Sequence, residues 1–185
     1  MLLANLKYLF FLVLILISNS VFSQTLKDVS DQVMNHLSTI YEEGKTELHL
    51  PLYTYHFPFA YDGNTYDQLN PWPLGIGIGR GLTTQEGKWS GFYVVSFADS
   101  HHDQQPSIVY SQTWPMIGNK HSNLSVGFVS FITARSDQWN YLPFPGVLPV
   151  LSANLTEFIK FTATYVPGFK YGTGNVLLFT SSYSF

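Results

Sequence analysis

The sequence contains no cysteine, and only 11% of its 185 residues are charged. The first absence excludes a disulfide framework, a thiolate nucleophile and any zinc site built on sulfur. The second is low for a soluble domain, where about a quarter of residues carry charge. The nine Lys and Arg residues are scattered and the formal net charge is -3, so the chain has no basic footprint for nucleic acid. Long apolar runs are also scarce. The one at residues 8–17 follows Lys7 and gives way to Ser18 and small Ser23. It is shorter than the roughly 20 residues of a spanning helix, so residues 1–23 read as a secretory signal peptide. No later segment approaches a continuous apolar span, so a membrane protein made from this chain has to be a closed β-barrel. A dinucleotide-binding loop is missing too: LGIGIGRGL at 74–82 repeats glycine with period two, not as GxGxxG between a strand and a helix. His101, His102 and Asp103 do not build a metal site, because consecutive residues of an extended chain point to opposite faces. No metal and no cofactor is expected.

What is present is an amphipathic helix followed by strand chemistry. Leu26, Val29, Val33, Leu37 and Ile40 recur at spacings of three and four with polar residues between them. This predicts a helix within 24–45 that Gly44 ends. Beyond it, runs at 47–60, 74–82, 89–98, 107–114, 123–135, 147–154, 158–167 and 175–185 alternate with turn residues such as Gly63-Asn64, Asp103, Gly118-Asn119 and Pro145-Gly146. In the fifth run Leu124, Val126, Phe128 and Ile132 oppose Val129 and Phe131, so neither face is polar. One face can meet lipid while the other lines an apolar pocket. Leu177, Phe179, Tyr183 and the final Phe185 share a face of the last run, and strands of about ten residues in even number suit a transmembrane barrel. The expected fold is all-β: an eight-stranded antiparallel transmembrane β-barrel over 46–185, preceded by an N-terminal amphipathic helix. Glycines confined to one face of 74–82 would leave room inside it.

Chemistry concentrates where GFYVVSFADSHH, residues 91–102, turns from apolar to polar. An acid beside a hydroxyl, Asp99 and Ser100, suits acyl transfer if a histidine reaches them. In an up-and-down barrel, strands one and three end at the same rim, which brings His56 toward Asp99 and Ser100. Arg135, with Asp137 and Trp139, falls at that rim as well. A cation there suits the phosphate of a lipid headgroup, and equally a structural ion pair.

The motifs HFPFAYD at 56–62, GKWSGFY at 87–93, FADS at 97–100, TAR at 133–135 with WNYLPFP at 139–145, YVPG at 165–168 and GN at 174–175 together resemble the outer-membrane lipid A palmitoyltransferase family, PagP. That resemblance implies a bacterial outer-membrane enzyme, active as a monomer or weak homodimer. It would move a palmitoyl or similar chain from the sn-1 position of a phospholipid donor to a lipid A acceptor. It assigns the catalytic positions to His56, Asp99 and Ser100, and lateral lipid access to Pro51, Pro73, Pro149 and Pro167. It also puts the floor of the acyl pocket at Ser111, where the family carries glycine, which implies a chain shorter or less sharply defined than palmitate. A barrel lipid A deacylase or phospholipase, and a non-catalytic envelope barrel, are the competing expectations.

Overall fold

The computed structural model describes residues 25, 27–168 and 174–185, so the expected signal peptide lies outside them. The chain divides into two compact units, one through Thr39 and one from Ile40 onward. Residues 27–43 form the helix α1. In the first unit the helix carries an apolar stripe on which Val29 and Val33, with Met34 beside them, are each about half exposed. Such a stripe suits a helix lying at a lipid interface. The helix stops where Gly44 donates its N–H to the Ile40 carbonyl at 3.0 Å, and a side chain at 44 would collide with that carbonyl and with the Gly81 carbonyl.

The second unit is a barrel. Strands β1 (Lys45–His56), β2 (Gly75–Thr83), β3 (Trp89–Ala98), β4 (Gln104–Gly118), β5 (Asn123–Thr133), β6 (Phe144–Asn154), β7 (Ile159–Val166) and β8 (Val176–Ser184) follow one another in the chain. Each pairs antiparallel with the next, and β8 returns to β1. Closure leaves no sheet edge to be solvated, which is what lets strands cross a membrane. Short turns at 84–88, 119–122 and 155–158 mark one end, here the terminal end because β1 begins and β8 finishes there. Segments 57–74, 99–103 and 134–143 mark the opposite, loop end. The first of these carries the short helix α2 (Gly63–Tyr66), capped by Asp62, whose carboxylate accepts the Thr65 N–H at 2.8 Å.

Side chains alternate as the pattern of period two requires. Ile76, Ile78, Val94, Ile108, Ile132 and Val147 point outward and are each more than half exposed, while Val95, Val109, Val129 and Val150 meet inside. The β2 glycines are a packing requirement. A Cβ at Gly75, Gly77 or Gly79 would come within 2.4–2.7 Å of the Cβ of Phe97, Val95 or Tyr93. The bare backbone is what lets those three side chains lie across it.

Four expected strands move at an end by two residues or more. β1 stops at His56 rather than residue 60, because Pro58 opens a 3-10 turn over Pro58–Ala60. β4 runs Gln104–Gly118 rather than 107–114. Pro115 is accommodated at a bulge in the β4–β5 pairing, and Pro106 lends its carbonyl to the Ala134 N–H at 3.1 Å. β5 ends at Thr133, two residues early. β6 begins at Phe144, so Pro145-Gly146 is part of a ladder and not a turn. Gly146 stands opposite Phe131, whose ring lies 2.4 Å from where its Cβ would be.

Candidate active site

The barrel interior is hollow toward the loop end. A cavity of about 470 Å³ is walled by Val95, Phe97, Val109, Val129, Phe131 and Leu148, with Asp99, Ser100, His101 and Arg135 at its mouth. The deep end closes at His49 and Tyr93, whose rings stack 3.8 Å apart. Ser111 is not among the residues that line this cavity. It faces inward but lies two residues past Val109 on β4, about 6–7 Å deeper, and its hydroxyl is spent on the Phe128 carbonyl at 3.1 Å.

At the mouth, residues 44 positions apart meet. His56 ends β1 as a buried residue, and its Nε2 lies 2.9 Å from Ser100 Oγ. The Tyr61 ring stands edge-on to the imidazole, with centroids 5.8 Å apart, and its hydroxyl donates to the Gly174 carbonyl. Asp99 is also buried, but among the described residues its carboxylate makes no hydrogen bond with His56. Oδ1 accepts the N–H groups of His101 at 2.8 Å and Asp103 at 3.0 Å, folding the turn that presents Ser100. Oδ2 faces Arg135 at 3.4 Å.

Arg135 is occupied on two sides. Besides Asp99, it holds Asp137 through paired bonds of 2.8 and 2.9 Å, so the guanidinium is the counter-ion of two carboxylates. His101 stands 3.6 Å from the same Asp137. Burial alone would raise the Asp137 carboxyl, but the hydrogen bond and charge of Arg135, with His101 behind them, hold it below the usual carboxylate range.

Two ladders are incomplete at the loop end. β1 pairs with β2 only from Lys45–His49 against Gly77–Gly81, and β6 pairs with β7 only from Val150–Asn154 against Lys160–Thr164. Pro51 lies just beyond the first stop and Pro73 precedes β2. Pro149 lies just beyond the second and Pro167 follows β7. None has an N–H to donate, so each sits where a ladder bond is missing.

Sequence reasoning missed two features. One is Asn70, which bonds to the backbone of Asp99 and Ser100; the Asn-Pro dipeptide signalled a turn there but not its partner. The other is a charged cluster below the cavity. Glu47 lies 3.5 Å from His49 and 3.7 Å from Lys160, and accepts from Trp89 Nε1 at 2.9 Å. The inward parity of Glu47 and Lys160 was the available signal.

Residues 36–182 match the family model described as "Antimicrobial peptide resistance and lipid A acylation protein PagP". The chain is 36% identical over 155 residues to the lipid A acyltransferase PagP of Methylobacillus flagellatus, covering 84% of this chain and 83% of that one. It is 34% identical to the PagP of Enterobacter lignolyticus over 84% of this chain and 81% of that one. With the Bordetella pertussis protein of the same name it shares 36% over 79% of each.

Proposed function

From the premise that this chain belongs to the PagP family of lipid A acyltransferases, we propose that it takes one acyl chain, palmitoyl or slightly shorter, from the sn-1 position of a phospholipid and transfers it to lipid A within the bacterial outer membrane. One observation carries the reading: the 2.9 Å contact of His56 Nε2 with Ser100 Oγ stands at the mouth of an apolar cavity of about 470 Å³. That volume falls in the range of pockets that enclose a single ligand, about 300–1,000 Å³. An acyl chain buried there presents its ester to the rim, where a base and a hydroxyl are waiting.

His56 serves as general base. The accepting hydroxyl gives it a proton and its oxygen bonds to the ester carbon. The bond from that carbon to the donor's oxygen breaks, and the proton leaves with the lysophospholipid. Ser100 takes part as nucleophile or as hydrogen-bond donor to the reacting oxygen. A single turnover without lipid A separates the two roles, since acyl on Ser100 marks the covalent route and its absence the direct one. Asp99 supports the site by holding the Ser100 turn and its counter-ion Arg135. The two incomplete ladders, flanked by proline, give lipids a sideways path to the cavity, and every proposed group comes from one chain.

The test is mass spectrometry of lipid A from cells with and without the protein. Lipid A heavier by one acyl group is the expected result. Free fatty acid with no heavier lipid A would indicate a deacylase or phospholipase, and neither product a non-catalytic barrel.

A further inference from the structure

We propose that Asn70 is a positioning residue of this site, tying the turn that carries Ser100 to the strand that carries His56. The inference rests on the acyl-transfer reading given above. His56 and Ser100 do not sit on neighbouring strands: β2 stands between β1 and β3, and its ladder with β1 stops at His49 and Gly77. From there to His56, seven residues of β1 have no β2 partner that could fix their distance from β3.

The segment just ahead of β2 takes over that task. Asn70 donates its backbone N–H to the Ser100 carbonyl at 2.9 Å, and its side-chain amide donates to the Asp99 carbonyl at 3.1 Å. The next residue, Pro71, accepts the Thr54 N–H at 2.9 Å, two residues before His56. Asn70 is itself fixed, because its amide also donates to the Trp72 carbonyl at 3.0 Å while Oδ1 accepts the Trp72 N–H at 3.0 Å. Buried with every side-chain donor and acceptor used, the residue needs both a donor and an acceptor on a short side chain. Aspartate has no amide donor, and glutamine adds a methylene that overshoots. A bracket of this kind matters to rate because misplacing a reacting group by about 1 Å costs about 100-fold.

The test uses the full-length protein refolded in detergent. Asn70→Ala and Asn70→Asp are each expected to lower kcat by about 10- to 100-fold with KM within about two-fold, while the barrel stays heat-modifiable. In a Ser100→Ala background the same changes should cost less than about two-fold, since positioning Ser100 no longer matters. Nitrogen NMR of the His56 imidazole supplies a readout without turnover: the Asn70 variants should move toward the Ser100→Ala spectrum. Wild-type spectra and kcat in both variants would overturn the proposal. So would equal losses with and without Ser100, or failure of both variants to fold, each of which makes Asn70 structural only. A wild-type protein that acylates no lipid A overturns the acyl-transfer reading alone, because the imidazole spectra still report on Asn70.

Discussion

The two halves of the barrel interior are built on the same eight strands and hold opposite things. Toward the loop end Val95, Val109, Val129, Phe97, Phe131 and Leu148, with Thr and Ser residues among them, wall a cavity. Toward the terminal end the inward positions become Ser111, Thr113, Ser125, Ser152 and Ser182 around Glu47, Lys160 and Trp89, all buried. On two strands the change occurs within one inward step: Val109 to Ser111 on β4, Val150 to Ser152 on β6. A mainly apolar wall whose hydroxyls are already bonded, as Ser107 is to Thr133 at 2.7 Å, can stand open and accept a chain, whereas a charged group in the interior has to be paired and enclosed. One half is shaped for a ligand and the other for holding the barrel, and each can be disturbed alone.

The largest effect expected is at the open end. His56→Ala and Ser100→Ala should each lower acyl transfer by about 10²- to 10⁴-fold in a lipid A mass assay, with the heat-modifiable barrel intact. Asp99→Asn should lose far less than Asp99→Ala. Asparagine keeps an acceptor for the two N–H groups, each worth about 1–3 kcal/mol if stranded, and a carboxylate acting directly on His56 would instead make the two variants equal. At the closed end the expectation reverses. Lys160→Met should destabilise the barrel by about 3–5 kcal/mol by leaving Glu47 without its cation, read from denaturant unfolding in micelles. Rate per folded molecule should barely change, and Glu47→Gln beside it should recover most of the stability.

A smaller effect tests the border between the halves. Val129→Phe should shorten the preferred acyl chain, by about four-fold in rate ratio for each methylene excluded at about 0.8 kcal/mol, while Ser111→Gly should leave the preference unchanged. A shift from Ser111→Gly and none from Val129→Phe would place the floor deeper than His49 and Tyr93. The smallest effect is at the rim. Because the Asp137 carboxyl is held low by Arg135, its contribution is complete above the unperturbed value of about 3.9 and is lost as pH falls through the lowered one. For so exposed a pair it amounts to about 0–1 kcal/mol, and Asp137→Asn should flatten that part of an acid unfolding curve.

How much of this the sequence disclosed follows from the range of each interaction. Strand number, the inward glycines of β2 and the outward apolar band follow from period two, which is local, and topology then delivered His56 to Ser100. The route by which Asn70 reaches Ser100 depends on where the β1–β2 ladder stops, and no local pattern records that. The depth of Ser111 is hidden for a related reason: facing inward is legible from parity, but depth is set by what fills the barrel beneath, a stacked His49 and Tyr93 contributed by other strands. Arg135 was placed at the correct rim, yet a lone cation does not announce that two carboxylates already hold it. Pro145-Gly146 failed as a turn because Phe131, on another strand, needs the space.

The two ladders that stop short divide the wall into panels. β2 to β6 make a panel of five staves and β7, β8 and β1 a panel of three, paired along the terminal end and, near His56, linked across the first gap by the Thr54 N–H to Pro71 carbonyl bond. His56 rides on the smaller panel, and Ser100 on the larger. An opening between β1 and β2 would have to break the Thr54–Pro71 bond and would part the imidazole from the hydroxyl, whereas an opening between β6 and β7 would leave that pair together. Amide hydrogens of β1 and β6 that face the missing partners, Thr54 apart, should exchange with solvent ahead of those bonded within the ladders.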